Sequence, residues 1–408
     1  MRISTSTIFE AGVRQLGTLQ SGMAKLQTQM SSNSRVVTPS DDPIAAARAL
    51  EVTQSKSINT QLETNRSNVR SSLSQEEVTL TGVTELMQNV QSLVVKAGNA
   101  SLSDSDRASI ATELEGNMTD LLGLANSTDG NGAFMFAGFK TSTQPFALTA
   151  TGAQYSGDQG QRQVQVGATR SVPISDSGSA VFENNPTGNG RFQTGAAATN
   201  TGGGVISSGT VTDASQLTGR NYAVAFKVTG DPAVTTYSVN DNSTTPPTSL
   251  QADQPYKEGQ GIAFGGMSMD VKGAPANGDT FTVAPSQKQS VFTTMNNLIE
   301  TLRAPTTGPG AKAALANGLN QASDNIKSAL DTVLTARSAI GSRLNELDTL
   351  DSTGDDLDIQ YASTLSDLTD LDLVKAYSMF SQQQITLTAA QKSFTTMSGL
   401  SLFNYISG

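Results

Sequence analysis

The sequence predicts a mainly α-helical, elongated bundle or coiled-coil rod formed by both ends of the chain, with a β-rich domain inserted between them. Apolar residues recur at spacings of three and four in residues 1–139 and 287–408, which is the period of amphipathic helices. Residues 140–286 instead carry short strand patterns separated by Gly, Asn, Asp and Pro. Aromatic residues make up only 5% of the 408 residues and Trp is absent, so the chain has few large side chains to fill a thick globular core.

The composition excludes several classes of chemistry. The chain has no Cys and no His, so Ser-His-Asp catalysis, Cys-His catalysis, disulfides and conventional zinc sites are excluded. The formal net charge is −10, and no cluster of Lys and Arg could neutralise nucleic-acid phosphates or bind an anionic membrane. No apolar run reaches the roughly 18 residues of a membrane span. The first residues lead into a polar stretch and not into the apolar core of a secretory signal.

The first terminal segment, residues 1–42, predicts an amphipathic helix followed by a break. Pro39 breaks the helical pattern, and Pro43 fits the first position of a second helix that Asp42 caps. The second helix continues to about residue 97, which corresponds to about 80 Å at about 1.5 Å per residue and is natural for a rod. The stripe of the first helix consists of Phe9, Gly12, Leu16, Leu19, Met23, Leu26 and Met30.

A helical rod domain, residues 43–139 and 287–354, is predicted to flank the inserted β-rich domain, residues 140–286. Ser103 and Asp106 have capping-box spacing at the start of a third helix. Ser286 and the three residues after it have the same form, so the sequence predicts that helix resumes there. Four aromatic residues are predicted to form a small core that joins the helices to the insertion: Phe134, Phe136, Phe139 and Phe146.

The second terminal segment, residues 355–408, predicts another amphipathic helix. The acidic residues Asp355, Asp356 and Asp358 are interpreted as a solvated linker, since no EF-hand spacing surrounds these possible Ca²⁺ or Mg²⁺ ligands. A heptad follows, with Gln at two core-type positions, where polar side chains weaken a coiled coil but can fix its register. Its members are Leu373, Tyr377, Phe380, Gln384, Leu387, Gln391 and Phe394.

The two terminal segments are predicted to pair and to depend on neighbouring molecules. A stripe one residue wide buries little area, whereas ordering the backbone costs about 1–2 kcal/mol per residue. Residues 1–35 carry four basic residues and one acidic residue, whereas residues 346–372 carry nine acidic residues and no basic one; this pattern fits either charge pairing or a solvated acidic face. We expect both segments to fold on assembly. The predicted assembly interface consists of Phe9, Leu16, Leu19, Met23, Leu26, Met30, Leu373, Phe380, Leu387, Phe394, Leu402 and Phe403.

Both ends of the chain resemble the flagellin-like axial proteins of bacterial flagella. The resemblance covers roughly the first 140 and the last 120 residues, and its segments stand in the order expected for that family. They are Met1-Arg2-Ile3-Ser4-Thr5-Ser6-Thr7-Ile8-Phe9, Thr38-Pro39-Ser40-Asp41-Asp42-Pro43-Ile44-Ala45-Ala46-Ala47-Arg48-Ala49-Leu50, Asn131-Gly132 with Phe134-Met135-Phe136-Ala137-Gly138, and Leu400-Ser401-Leu402-Phe403-Asn404-Tyr405-Ile406.

This resemblance implies a structural adaptor at the junction of the flagellar hook and the filament. The implied partners are the hook-associated protein FlgK, flagellin, and the chain itself in a ring or short helical layer of about eleven copies. The resemblance also implies a cytoplasmic export chaperone on the C-terminal segment and an extracellular location reached through type III export without a cleavable signal peptide. It implies no cofactor, no metal, no nucleic acid, no membrane and no enzymatic activity.

Two other functions stay open at this point. A short flagellin that forms the filament itself would share both ends of the chain. A glycan-binding or enzymatic β-module on a helical stalk would use residues 140–286, where Asp158 or Asp279 could supply paired carboxylates. This last function is the weakest of the three, because the segment has few aromatic residues to stack on a sugar.

Overall fold

The computed structural model describes the backbone of residues 5–406 and the side chains of residues 7–397. Long helices come from both ends of the chain, and an antiparallel β-rich domain lies between them in sequence, as predicted. None of the described helices is long and apolar enough to cross a membrane. The helices are α1 (Thr5–Ser32), α2 (Pro43–Ala97), α3 (Asp104–Ala125), α4 (Val291–Arg303), α5 (Pro309–Thr369) and α6 (Leu373–Ile406).

Fifteen strands form the β-rich part. They are β1 (Phe146–Thr149), β2 (Gly152–Tyr155), β3 (Gln163–Gln165), β4 (Ser171–Pro173), β5 (Asn185–Pro186), β6 (Phe192–Ala196), β7 (Val205–Ile206), β8 (Thr210–Val211), β9 (Tyr222–Thr229), β10 (Val234–Asp241), β11 (Thr248–Pro255), β12 (Gly261–Phe264), β13 (Met267–Lys272), β14 (Thr280–Pro285) and β15 (Lys288–Gln289).

The larger sheets share one apolar core. A five-stranded antiparallel sheet has the order β11-β10-β9-β14-β6, and a second sheet has the order β12-β13-β7 with β8 also paired to β13. The aromatic rings of Phe226 and Phe281 meet edge to face at 5.6 Å in this core. Its buried members all come from residues 192–283, so this part of the chain supplies its own core: Phe192, Ile206, Tyr222, Val224, Phe226, Val239, Ile262, Phe264, Met267, Met269, Val271, Phe281 and Val283.

A second, smaller core joins the first hairpin to helix α4. The rings of Phe146 and Phe182 pack edge to face at 5.5 Å, and Phe146 also lies 5.2 Å from the ring of Phe292 at the start of α4. Phe136 is fully buried here as well. The predicted aromatic core is therefore correct for Phe136 and Phe146 but wrong for Phe139, which is 65% exposed.

The helix starts follow the expected capping chemistry in two of three cases. Asp42 Oδ1 accepts a hydrogen bond from the Ala45 amide at the start of α2, and Ser103 with Asp106 forms the capping box of α3. The prediction that helix resumes at Ser286 is wrong. The Ser286 hydroxyl donates to the Thr187 carbonyl at 2.7 Å, β15 pairs with β5, and α4 begins only after the N-cap Ser290.

The chain forms two compact units, residues 1–64 with 349–408 and residues 65–348. In the first unit, the side-chain amide of Asn59 donates to the Gly354 carbonyl at 2.8 Å and to Asp358 Oδ1 at 3.0 Å. Helix α5 runs through Gly354 without interruption, so the interpretation of residues 355–358 as a linker is wrong. The sequence-based division at residues 42/43 and 354/355 stays a prediction.

Candidate functional site

The first and last helices of the chain pack against each other in antiparallel fashion. Phe9 and Gly12 lie next to Phe394 near one end of the pair. Near the middle, a Cβ placed on Gly22 would lie 3.4 Å from Gln383 Oε1. At the other end Ser34 forms an antiparallel bridge with Asp370. The two ends of the sequence therefore form one helix pair, as the sequence pattern suggested.

The stripe predicted on α1 is the face that becomes less exposed in the structure. Leu26 is buried, and Leu16, Leu19, Met23 and Met30 are half-buried. Phe9 is 51% exposed although its ring touches that of Phe394. Helix α1 therefore has one covered side, and the apolar residues Ile8 and Val13 at its beginning remain open to solvent.

The face of α6 that α1 covers includes only some positions of the predicted heptad. Phe380, Leu387 and Phe394 are half-buried as expected, whereas Leu373 and Tyr377 are exposed. Tyr377, Gln384 and Gln391 of the predicted heptad are exposed, so α1 does not cover these positions, and a role for them between molecules stays a prediction. The other less exposed positions of the helix are Ala376, Gln383 and Ala390. Small side chains at two of these positions allow close approach of the helices, which sequence spacing alone did not reveal.

Helix α6 also exposes apolar side chains away from its covered face. Val374 is 84% exposed, Ile385 is 68% exposed and Tyr377 is 67% exposed. Met379 and Met397 are exposed beside the covered face. Only two residues of the whole helix, Lys375 and Lys392, are charged. A helix with so little charge and apolar residues on several sides has the composition of a buried helix, yet α1 covers only one of its faces. The side chains of the predicted interface residues Leu402 and Phe403 lie outside the described residues.

Hydrogen bonds tie the break between α1 and α2 to the break between α5 and α6. The Arg35 amide donates to the Thr369 carbonyl at 2.7 Å, and the Leu371 amide donates to the Asn33 carbonyl at 3.4 Å. The Arg35 guanidinium donates to the Leu368 carbonyl at 2.6 Å and pairs with Asp42 at 3.0 Å. We call this set of contacts the clasp (residues 33–35 and 368–371).

The turn that leads into α2 is held by two carboxylates. Asp41 pairs with Lys25 at 2.8 Å and accepts the amides of Val37 and Thr38. The hydrogen bond from Lys25 lowers the pKa of Asp41 to about 2. The amide of Ala45, and after it the side chain of Arg35, lower the pKa of Asp42.

Comparison with known proteins identifies the family. The profile of the bacterial flagellin N-terminal helical region matches residues 3–141, and that of the D2-like domain of flagellar hook-associated protein 1 matches residues 196–285. The chain is 30% identical to flagellar hook-associated protein 3 of Escherichia coli strain K12 over 404 residues, which covers 99% of each sequence. The chain belongs to the hook-associated protein 3 family. The protein of the same name from Salmonella typhimurium is also 30% identical over 404 residues.

Solved structures of the hook-associated protein 3 family share this fold. The flagellar junction protein FlgL from Legionella pneumophila is 34% identical with a TM-score of 0.72, over 79% of this chain and 100% of that chain. FlgL from Xanthomonas campestris is 32% identical with a TM-score of 0.70, over 77% of this chain and 99% of that chain. The chain is therefore a structural component of the bacterial flagellum with a junction role, and the alternative of a short flagellin is set aside.

Two residues of the acidic stretch form ion pairs with parts of the chain outside the first helix. Glu346 pairs with Arg170 of the segment between β3 and β4, and Asp348 pairs with Arg70 of α2 at 2.5 Å. Asp372 accepts the Lys375 amide at the start of α6. Residues 33–35 contact this stretch through backbone groups of residues 368–371, whereas Glu346 and Asp348 join it to other parts of the chain.

The two carboxylates considered for glycosidic chemistry, Asp158 and Asp279, accept hydrogen bonds from backbone amides. Asp158 Oδ1 accepts the amides of Phe139 and Gly160. Asp279, which is buried, accepts the amides of Thr201, Gly202 and Ala276 at 2.8–3.0 Å. Both carboxylates therefore fix loops through backbone amides. Within the described part of the chain, no group of three acidic residues could hold a metal ion.

Proposed function

We propose that this chain joins the flagellar hook to the filament by burying the exposed flanks of α6 against neighbouring molecules. The observation that supports the proposal is the imbalance of α6: its apolar residues surround most of the helix, but α1 covers one face. Large exposed apolar patches on a protein mark surfaces that become buried in a complex. The relatives are named hook-associated and junction proteins, which makes flagellar subunits the partners to be expected.

The finer assignment concerns the partners and the route to the assembly. We propose that the hook-associated protein FlgK lies on one side of the chain, flagellin on the other, and further copies beside it in a ring or short helical layer of about eleven. We also propose that the chain is exported without a cleavable signal peptide and that a chaperone covers its C-terminal segment before export. The predicted interface residues on α1 and α6 take part through burial and not through turnover of a substrate.

Two substitutions on the uncovered flank test the assembly role without touching the α1 contact. Val374→Asp with Ile385→Asp places two charges where burial is proposed. In cells that lack the native copy, we expect this variant to be exported at normal amounts but to be absent from purified hook–filament complexes, because an unpaired charge is costly to bury. Gln382→Asp on the exposed polar side of the same helix is the matched control and should be incorporated. Normal incorporation of the double variant would contradict the proposal.

The same proposal predicts that the terminal helices gain protection on assembly. In dilute, isolated protein we expect the amides of α1 and α6 to exchange much faster than those of the α2–α3 region, because each helix is covered on one side only. Mixing with the hook-associated partner should slow their exchange. Equal protection of α1, α6 and α2 in the isolated protein would show that the ends need no neighbour. Under the same proposal, Leu387→Asp and Phe394→Asp should each abolish incorporation, because they disrupt the helix pair itself.

A further inference from the structure

A fully buried carboxyl group lies in the middle of the longest apolar stripe of the protein. Glu76 of α2 is 1% exposed, and its neighbours along the helix, Leu73 and Leu80, are completely buried. A carboxylate in such surroundings loses its hydration and is strongly destabilised unless it is paired and hydrogen-bonded. The assembly role of the protein gives no reason for an acidic residue at this position.

The partners of Glu76 satisfy only half of its carboxyl group. Glu76 Oε1 accepts the backbone amide of Asp176 at 2.9 Å. Glu76 Oε2 is buried and has no hydrogen-bond partner. An ionised carboxylate is an acceptor at both oxygens, so an ionised Glu76 would leave a buried charged oxygen without a donor. A buried charge without a partner costs more than a buried neutral group without one, so the geometry disfavours the ionised form.

The charge balance of the cluster points the same way. Asp176 receives two hydrogen bonds from the Arg343 guanidinium, at 3.0 and 3.1 Å, and one from the Gln161 amide at 2.9 Å. Both side chains of this ion pair are mostly buried. The adjacent Glu77 forms an ion pair with Arg337 at 2.7 Å. Arg343 thus lies beside both Asp176 and Glu76, so two ionised carboxylates would share this guanidinium.

We propose that Glu76 carries a proton in the folded protein at neutral pH, and that its ionisation in alkali releases the β3–β4 segment (residues 161–178) from helices α2 and α5. The cluster connects three parts of the chain that are far apart in sequence: α2 through Glu76, the β3–β4 segment through Asp176, and α5 through Arg343. Ionisation places a second negative charge beside Asp176, whose carboxylate already pairs with Arg343. The cluster therefore holds the β3–β4 segment against α2 and α5 in a pH-dependent way.

The electrostatics of the site agree with this geometry. Burial, and after it the nearby carboxylate of Asp176, raises the pKa of Glu76 to about 8. Arg343 opposes the shift, and the charge of Glu77 adds to it. A carboxyl group whose pKa is raised on folding holds its proton more tightly in the folded state. Stability is then complete below the unfolded pKa of about 4.5 and decreases as the pH rises toward about 8.

Titration of the full-length chain labelled with ¹³C at the Glu carboxyl carbons tests the proposal directly. One resonance should titrate with a midpoint near 8, and it should be missing from Glu76→Gln, which identifies it. Any opening that exposes Glu76 should become about tenfold more frequent per pH unit between about 5 and 8. The protection factor of the Asp176 amide, which donates to Glu76, should fall accordingly in the native chain and stay constant in Glu76→Gln.

The control is Glu85→Gln, an exposed position on the same helix. It should retain both the high-midpoint resonance and the pH-dependent loss of protection. If Glu76→Gln does not fold, Asp176→Asn serves instead and should lower the high midpoint, because it removes the neighbouring negative charge. A Glu76 resonance that titrates below pH 6, or a protection factor with the same pH dependence in the native chain and Glu76→Gln, would overturn the proposal.

Discussion

The aromatic ring of Phe9 lies 4.9 Å from that of Phe394, with an angle of 42° between the two ring planes. This contact joins residues near the two ends of the sequence, so it fixes the register of α1 against α6 at the end where both helices expose apolar side chains. A change at this contact should therefore affect the helix pair before it affects the rest of the fold.

Gly12→Ala is expected to destabilise the α1–α6 pair, although Ala favours helix more than Gly does. A Cβ on Gly12 would lie 2.8 Å from the ring of Phe394, which forces the ring to move. Overpacking costs about 1–3 kcal/mol, and the gain in helix propensity is about 1 kcal/mol. Gly17→Ala on the same helix meets no atom within 4 Å and should be stabilising. Amide exchange of α1 in the two variants measures the difference; faster exchange in Gly17→Ala than in Gly12→Ala would contradict this account.

Removal of Arg343 should be among the most damaging single changes in residues 65–348. Arg343→Met leaves the buried Asp176 carboxylate without its cation, which costs about 3–5 kcal/mol for a broken buried pair. Arg303→Met, whose pair with Glu115 is largely exposed, should cost about 0–1 kcal/mol. Urea unfolding gives both values. The double variant Arg343→Met with Asp176→Asn should lose less stability than the sum of the losses of the two single variants. A loss equal to that sum would show that the pair is not coupled.

The turn before α2 should loosen in acid. The pKa of Asp41 is about 2 in the folded chain, chiefly because of the hydrogen bond from Lys25, compared with an ordinary value of 3.8. Since the pKa is lowered on folding, the stabilisation is present above pH 3.8 and is lost as the pH falls toward 2. Amide exchange of Thr38, which donates to Asp41, should show this loss. Asp41→Asn should remove it, whereas Asp120→Asn on the exposed side of α3 should leave it unchanged.

Phe281→Ala should destabilise the β-rich part and leave the terminal helices intact. The Phe281 side chain is fully buried and meets Phe226 edge to face, so its removal should cost about 3–5 kcal/mol. All buried members of that core lie in residues 192–283, and the loss should appear as lower amide protection there. Phe139→Ala removes the same side chain at an exposed position and should cost much less. Equal effects of the two variants would refute this assignment of the core.

Much of the helical architecture could be predicted from periodicity and capping chemistry. The stripe of Leu16, Leu19 and Met23 becomes the less exposed face of α1, and Asp42 caps α2 as expected. These signals are local, because each depends on residues within one or two turns. The strands of residues 222–228 and 261–264 were predictable for the same reason, since they alternate and are bounded by Gly or polar turns.

The features that the sequence did not predict depend on contacts between distant residues. Tyr377 has a heptad position but is exposed, because α1 approaches the side of α6 that carries Ala376 and Gln383. The helix expected at Ser286 is replaced by a strand pairing with residues about 100 positions earlier. For the assembly interface, the sequence indicated which residues are apolar but not which of them α1 already covers.

The clasp has a consequence for how the protein can adapt to a curved or irregular assembly. Both connections to the terminal helices are interrupted at the same level, between Ser32 and Pro43 and between Thr369 and Leu373, and the contacts of Arg35 and Asn33 bridge the interruptions. Because these contacts join the two interruptions to each other, we expect any bending at this level to move α1 and α6 together. The Phe9–Phe394 contact should then be preserved.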